Sequence, residues 1–394
     1  MSQVSIVRCR DYQAELVSAA VKQSLDLLGG LEAIIRPRAK VFVKINSLSP
    51  PSPPEKGIIT HPFLTAEVLK LLQELDCEVT VGDDIQAETE DGFLISGYRQ
   101  ICDKLGVNLV NLKETGFLQV RVDGAVLKKV YIAKPVLDAD FIVNLPKLKT
   151  HSFTIFTGAV KNMYGIIPLG FRLQYHHDYI KNEIFSQMLV DIFLCARPHL
   201  TVMDGIVAME GEGPAAGRLK KTGLILASRD GVALDAAASK IAGFRPLDIF
   251  TTFFAHQRGL GFGDLSGIEI LGEKIQHVRI PDFRHSILAV GLLRRKLPAA
   301  LYGFINDQLI LSPEVAADRC TACLECVKIC PAGAARSREG KAWIDPGKCI
   351  HCMCCHEVCR FQAVILKQKP MGRVIRGFSA FGKNVKSLFL ARLK

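Results

Sequence analysis

Eight cysteines close to the C-terminal end restrict this chain more tightly than any other feature of it. Cys320, Cys323, Cys326 and Cys330 form a C-x2-C-x2-C-x3-C run followed by Pro331. Cys349, Cys352, Cys355 and Cys359 repeat the run, every cysteine displaced by 29 residues. A structural zinc site needs only four ligands in two pairs. A disulfide framework belongs to short secreted chains, and this chain has 394 residues. Thiolates are soft anionic donors for iron, and their charge helps to hold reduction potentials low. Three closely spaced thiolates with a fourth further on is the ligation pattern of a cubane iron–sulfur cluster. The repeat therefore predicts two [4Fe-4S] clusters as cofactors, near enough to relay single electrons.

Two details break the repeat. The first run ends Cys330-Pro331, the second Cys359-Arg360. Proline fixes the turn after a ligand. Arginine relaxes that turn and brings a cation near, which favours the reduced, more negative state. Cys354 adjoins Cys355. It reads as a free thiol, because the regular spacing already supplies eight ligands; the alternative is a substitute ligand.

Charge is unevenly placed. Of 50 Lys and Arg and 39 Asp and Glu, 19 and 7 fall from Arg284 onward, so the net charge of +11 resides there. That argues against nucleic acid as a partner of the larger part of the chain. It predicts a redox partner protein with an acidic docking surface, or an anionic membrane surface. Pro370 to Lys394 holds six cations and no acid, with Val374, Phe378, Phe381, Val385, Leu388 and Phe389 on one helical face. Such a basic amphipathic helix suits peripheral membrane contact or an acidic partner, or folds back on its own core. Ile287 to Ile305 is too interrupted by Arg294, Arg295, Lys296 and Pro298 to span a bilayer. The first residues lack a basic-then-apolar leader pattern, and Cys9, Cys77, Cys102 and Cys195 show no pairing logic. A cytoplasmic, reduced setting follows, with membrane association left open.

Short apolar runs alternate with helical patterns through the first 280 or so residues. Strands are predicted at Val4–Val7, Val41–Ile45, Glu78–Gly82, Asn108–Leu112, Phe141–Leu145, Leu200–Met203, Gly223–Ala227 and Ile268–Leu271. Several are rich in Val and Ile without polar alternation, as strands covered on both faces are. Helices are predicted over Asp11–Leu28, Thr60–Leu75, Tyr179–Ala196 and Asp230–Ala242. Phe117–Val122 and Val130–Ala133 read as an antiparallel pair around Asp123-Gly124. The alternation gives an α/β fold, a mostly parallel sheet with flanking helices, over residues 1–283. A basic apolar connector follows at 284–311, then a small α+β cysteine domain at 312–369 and the tail at 370–394.

The predicted strand ends are polar. Asn144-Leu145-Pro146-Lys147-Leu148-Lys149-Thr150-His151 follows one strand, and Thr157 to Gly165 contains Lys161 and Asn162. Asp83 ends another strand, His61 opens a helix at Thr60-His61-Pro62, and Asp204 leads on to Glu210 and Glu212. Ligands collect at the carboxyl ends of strands in open α/β sheets. Lys147, Lys149, His151 and Lys161 suit an anionic small molecule, and His61, Asp83, Asn162, Asp204, Glu210 and Glu212 are candidate partners in an acid–base site. The competing reading is a solvated lysine loop, with Asp83 and Asp204 as turn formers or helix caps. Glu210 and Glu212 alternate, so both face one side of an extended loop. Gly211 to Ala216 matches G-x-G-x-x-A but leads into a strand, and Gly259 to Gly263 lacks the following Lys-Ser/Thr, so neither NAD nor ATP is indicated. A flavin is left open. His176-His177-Asp178 reads as a loop histidine pair rather than a metal site.

Two resemblances follow from these residues. Ser312 to Lys369 resembles a bacterial-type two-cluster ferredoxin. The resemblance implies that the fourth cysteine of each run crosses to the other cluster. One [4Fe-4S] cluster is then held by Cys320, Cys323, Cys326 and Cys359, the other by Cys349, Cys352, Cys355 and Cys330. Met1 to about Pro281 resembles domain of unknown function 362, through Thr60-His61-Pro62, Val81-Gly82-Asp83, Asn144 to His151, Thr157 to Gly165, Asp204 to Pro214 and Asp230 to Asp235. That family implies a recurring polar surface on an α/β scaffold and supplies no reaction or catalytic residues. The combined expectation is an iron–sulfur redox protein passing electrons to a site on the α/β domain, where an anionic substrate is reduced. The alternative is a non-catalytic electron carrier or maturation factor whose α/β domain docks a partner. In a third reading the clusters serve mainly as structural staples.

Overall fold

The chain forms two compact units, residues 1–286 and 287–394. The computed structural model describes residues 1–48, 50–86, 91–286 and 311–370. Most of the predicted connector and all but the first residue of the predicted tail lie outside the described residues.

The strands of the first unit are β1 (Ser2–Arg8), β2 (Lys40–Lys44), β3 (Glu78–Asp83), β4 (Asn108–Asn111), β5 (Phe117–Arg121), β6 (Lys129–Ala133), β7 (Phe141–Asn144), β8 (Lys147–His151), β9 (Ile155–Thr157), β10 (Leu200–Glu210), β11 (Arg218–Ser228) and β12 (Ile268–Gly272). Ten of them make one sheet, in the order β12-β1-β11-β10-β7-β2-β3-β4, with β8 paired to β10 and β9 to β8. Pairing is parallel from β10 through β7, β2 and β3 to β4, and at β1–β12 and β8–β10. It is antiparallel at β1–β11, β10–β11 and β8–β9. The fold is therefore α/β with a mostly parallel sheet. β5 and β6 form the separate antiparallel pair that the sequence predicts.

Strand β2, Lys-Val-Phe-Val-Lys, shows why the sheet must be covered twice. Val41 and Val43 enter one core with Val17 and Val21 of helix Ala14–Asp26 and Leu64, Val68 and Leu72 of helix Pro62–Glu74. Phe42, pointing the other way, enters a second core with Phe185, Leu189 and Ile192 of helix Asn182–Cys195. A strand buried on both faces needs apolar residues along its middle, and only the terminal lysines, exposed Lys40 and buried Lys44, depart from the pattern. From β2 the chain moves outward through β3 and β4, then returns on the opposite side of β2 as β7. The strand order reverses between β2 and β7, where Lys44 lies in register with Asn144. Such a reversal opens a crevice beyond the carboxyl ends of the strands.

Three corrections concern local structure. Lys147–His151 is a strand rather than a loop at a strand end; its backbone groups pair with β10 and β9, which no local pattern announces. Leu200–Glu210 and Arg218–Ser228 are 11 residues each, far longer than their apolar centres, because each pairs with the other along its length. His176 and His177 lie in helix Leu169–Asp178, not in a loop. His176 is buried and His177 exposed, as adjacent helical positions require.

The described part of the second unit contains β13 (Leu311–Val315), β14 (Ala335–Arg338), β15 (Lys341–Ile344) and β16 (Val364–Gln368). β13 pairs antiparallel with β16, and β14 with β15. Ala335 faces Ile344, and the residues 29 further on and 29 back, Val364 and Val315, face each other. The whole register obeys that shift. The cysteine repeat is thus a pseudo-twofold, and each half lends one strand to the other. Its core is small: Ala335, Ala342, Ile344, Val358 and Val364 with Cys326 and Cys355.

Candidate functional site

The second unit encloses two cavities. One, of about 330 Å³ counting its mouth, is lined by Cys320, Cys323, Cys326 and Cys359. The other, of about 310 Å³ on the same measure, is lined by Cys330, Cys349, Cys352 and Cys355, with Cys354 beside them. Three thiols of each cavity come from one run and the fourth from the other, because the pseudo-twofold brings the end of each half to the start of its partner. Among the described residues no three His, Cys, Asp or Glu side chains converge to hold a single metal ion. The quartets ring a space rather than a point.

Backbone geometry follows the same repeat. Ala322 and His351 have φ of 61° and 57°, Leu324 and Met353 have 58° and 67°, each pair 29 residues apart. None is glycine, so each costs conformational energy that its surroundings must offset. Left-handed residues of this kind are one half of the nest geometry that receives anions. Donors do reach the sulfurs. Ala335 N–H lies 3.4 Å from Cys330 Sγ and Ala363 N–H 3.2 Å from Cys359 Sγ. The N–H groups of His351 and Cys354 serve Cys349 and Cys352.

In the first unit the strand ends carry a buried polar network. Lys44, last in β2, pairs with Asp83, last in β3, at 2.8 Å, and both side chains are almost wholly buried. Asp83 also accepts from the N–H groups of Ser47 (2.7 Å) and Asp84 (2.8 Å). Burial lowers the Lys44 pKa and raises that of Asp83, against their mutual attraction. Lys147 pairs with Asp204 at 2.8 Å, again fully buried. Asp204 further accepts from Tyr12 Oη (2.8 Å) and the His61 N–H (2.8 Å). The His61 ring stacks on Tyr12 at 3.7 Å and caps helix Pro62–Glu74 through Nδ1. Burial pushes the His61 pKa down to about 4.

A further chain of amides starts at Lys149. Lys149 Nζ donates to Asn46 Oδ1 (2.9 Å) and Ile58 O (2.7 Å). Asn46 donates to Asn162 (2.9 Å), Asn162 to Asn144 (2.7 Å), and Asn144 to Ala159 O (3.0 Å). Asp235 receives the N–H groups of Ala159 (2.6 Å) and Val160 (3.1 Å). Gly158 and Gly165 allow the close approach: a Cβ at Gly165 would stand 2.6 Å from Asp83 Oδ1 and one at Gly158 2.0 Å from Asp235 Oδ1.

The predicted residues therefore separate. His61, Asp83, Lys147, Lys149, Asn162 and Asp204 share the network at the carboxyl edge. His151 is buried beside it, its Nδ1 accepting from Phe153 and Thr154 N–H, and Lys161 is partly exposed. Glu210 and Glu212 turn elsewhere. Glu210 accepts from Arg284 N–H (2.9 Å) and Glu212 from Ser286 Oγ (3.0 Å), so they clamp the end of the unit. Sequence reasoning missed Tyr12, Lys44, Asn46 and Asp235. A lysine and an asparagine closing an apolar strand at Val41 to Asn46 were the available signal for two of them, and Asp235 closes the Asp230 to Asp235 segment of the family resemblance; Tyr12 gave none.

Residues 41–240, which include most of this network, match the family model described as domain of unknown function (DUF362). The chain belongs to that family. The match ends well before Cys320, so the cysteine unit lies outside it. Among curated proteins, the DUF362 chain is 31% identical over 259 residues to a thylakoid-associated protein of Synechocystis, covering 65% of this chain and 79% of that one. It is 34% identical over 68 residues to an uncharacterized protein in an rpl9-rpl11 intergenic region of Porphyra purpurea, covering 15% of this chain and 91% of the other. Among solved structures it is similar to the lactate racemase apoprotein of Thermoanaerobacterium thermosaccharolyticum, with TM-score 0.42, 16% identity and coverage of 61% and 57%. A Thermotoga maritima protein gives TM-score 0.37, 14% identity and coverage of 64% and 60%. The DUF362 chain spans less than two thirds of either solved chain. Among the described residues no helix is long and apolar enough to cross a membrane.

Proposed function

We propose that the second unit binds two [4Fe-4S] clusters, on Cys320, Cys323, Cys326 and Cys359 and on Cys349, Cys352, Cys355 and Cys330, and that the protein is an electron-transfer protein. The observation that carries the reading is the sorting of eight cysteines into two cavities, each mixing three thiols of one run with the fourth of the other. Bound clusters would supply one-electron chemistry at low potential. The chain's own groups would receive the clusters' negative charge through inward N–H donors, and exposed Cys323 marks the more accessible of the two sites. The small core of this unit also supports the reading, since metal binding to such a domain contributes its folding free energy.

For the first unit, one observation favours the carrier over the reductase. Two of the three lysines expected to hold an anion are engaged within the protein: Lys147 by Asp204, Lys149 by Asn46 and Ile58. The α/β unit is then a docking scaffold, and the basic end of the chain meets an anionic counterpart. The name of the Synechocystis relative makes a membrane surface a candidate beside an acidic protein.

Anaerobic purification or reconstitution of the full chain, with iron and sulfide analysis and EPR after reduction, tests the clusters. About eight irons per chain and two interacting signals are expected. Stoichiometric zinc, or no iron after reconstitution, overturns the reading. Co-sedimentation with anionic vesicles, and capture of an acidic redox partner across a salt series, separate the two docking surfaces.

A further inference from the structure

The pseudo-twofold of the second unit is broken on one outward face. In the β14–β15 hairpin Arg336 lies opposite Trp343 and Arg338 opposite Lys341, and side chains paired in this way share a side of the sheet. These four make up its outer face, and all four are exposed. Trp343 is the single tryptophan of the chain and is 38% exposed, with the Arg338 guanidinium 5.9 Å from its ring centre. Arg336 and Lys341 donate to neutral acceptors, the carbonyl oxygens of Gly333 (3.3 Å) and Ala317 (2.6 Å). Arg338 meets Glu339 of the turn at 3.7 Å, but both are open to solvent, which screens the pair. The 29-residue shift carries the same four positions to Ile365, Lys367, Ser312 and Glu314 of the β13–β16 pair. There one cation meets one acid, Lys367 with Glu314, and no aromatic ring is present. The inner side of the hairpin belongs to the cavities: Ala335 and Ile344 line the second, Ala342 the first.

We propose that the outer face of the β14–β15 hairpin docks the redox partner, and that the partner is a protein presenting a patch of Asp and Glu side chains there. This docking rests on the electron-transfer reading above and names the surface through which the electron passes. Three cations on two facing residue pairs attract an acidic surface and orient its approach. A large aromatic ring beside arginines supplies the desolvated anchor that charge alone lacks. The hairpin is also a wall of both cavities, so a partner seated on it comes within one strand layer of either cluster. One electron leaves the partner's centre and reduces one oxidised cluster, or the reverse, and no bond is made or broken. An anionic membrane fits this face less well. Interfacial binding grows with buried apolar area, and the face offers one ring with Arg338 already over it.

The experiment immobilises a purified plant-type [2Fe–2S] ferredoxin, a small acidic redox protein, and measures binding of the anaerobically purified full chain at low and high salt. Wild type binds at low salt and is released at high salt. Arg336→Glu and Arg338→Glu each weaken low-salt binding roughly tenfold, and Trp343→Ala does so with the salt dependence unchanged. Lys367→Glu, the same charge change on the equivalent face, leaves binding near the wild-type value. Iron content stays at the wild-type value in all four variants, because these side chains point away from the cavities. Equal losses from Lys367→Glu overturn the proposal, since net charge alone would then explain binding. It is overturned as well by a wild type that shows no salt-sensitive binding, or by hairpin variants that bind as wild type does. Hairpin variants that lose binding to anionic vesicles or to an oligonucleotide, but not to the ferredoxin, overturn the choice of partner. An iron-free wild type that still loses ferredoxin binding on Arg338→Glu keeps the surface and sinks the electron-transfer reading.

Discussion

Both units gather polar and ionisable groups in their interiors, and they handle them in opposite ways. At the carboxyl edge of the sheet the buried lysines meet protein partners. Lys44 meets Asp83, Lys147 meets Asp204, and Lys149 meets an amide and a carbonyl oxygen. In the second unit nine thiols line two cavities, and among the described residues their walls carry no basic side chain, only inward N–H groups. Burying a charge is costly unless it is paired. The first arrangement is closed by the protein itself; on the proposed reading the second is closed by bound clusters. A buried polar cluster therefore indicates a ligand only when its members are not already satisfied by each other.

The largest effect should come from removing metal. If the clusters close the second unit, anaerobic chelation or oxidative loss unfolds that unit while the first, with two cores of its own, persists. Limited proteolysis should then release fragments from the region after residue 286 and leave the α/β unit intact. A second unit that resists proteolysis without iron breaks the comparison.

Next comes the paired edge. Lys147→Ala leaves Asp204 buried without its cation and should cost about 3–5 kcal/mol in urea denaturation. Lys147→Met combined with Asp204→Leu should recover part of that loss, since it removes both charges. Additive losses in the double variant would mean that the pair is not the unit of stabilisation.

A smaller, pH-dependent effect belongs to His176. Burial lowers its pKa to about 3, and its Nδ1 has no hydrogen-bond partner among Phe153, Tyr164 and Phe185. The unfolded chain binds this proton near pH 6.5 and the folded chain does not, so stability falls as pH drops from 6.5 toward 3. His176→Phe should remove that fall, a gain of about 2 kcal/mol relative to wild type at pH 5. Asp235 runs the other way. Burial raises it to about 7, so the folded state holds a proton that the unfolded state releases, and stability declines from about pH 4 to 7. Asp235→Asn should flatten that slope.

The smallest change serves as a control. Glu314 and Lys367 pair at 2.6 Å across β13 and β16, but both are more than half exposed. Glu314→Gln should move stability by less than about 0.5 kcal/mol, because solvent screens the pair. A larger loss would mean that the outer faces of the second unit carry more of its stability than its cavities do.

Sequence by itself determined the elements whose signal is local. Apolar runs at Val41 to Ile45, Glu78 to Gly82 and Phe141 to Leu145 became parallel strands, since a strand covered on both faces has no room for polar residues. Cysteine spacing determined that two equivalent halves exist, because ligand spacing is a property of the chain. Tertiary structure decided what spacing does not contain. Lys147–His151 is a strand only because β10 and β9 lie beside it. Tyr12 reaches Asp204 across 192 residues, and Glu210 and Glu212 turn from the edge to Arg284 and Ser286. Whether a lysine is a site or a lock depends on which acid the fold brings to it, and that pairing is fixed by sheet order, which no local pattern encodes.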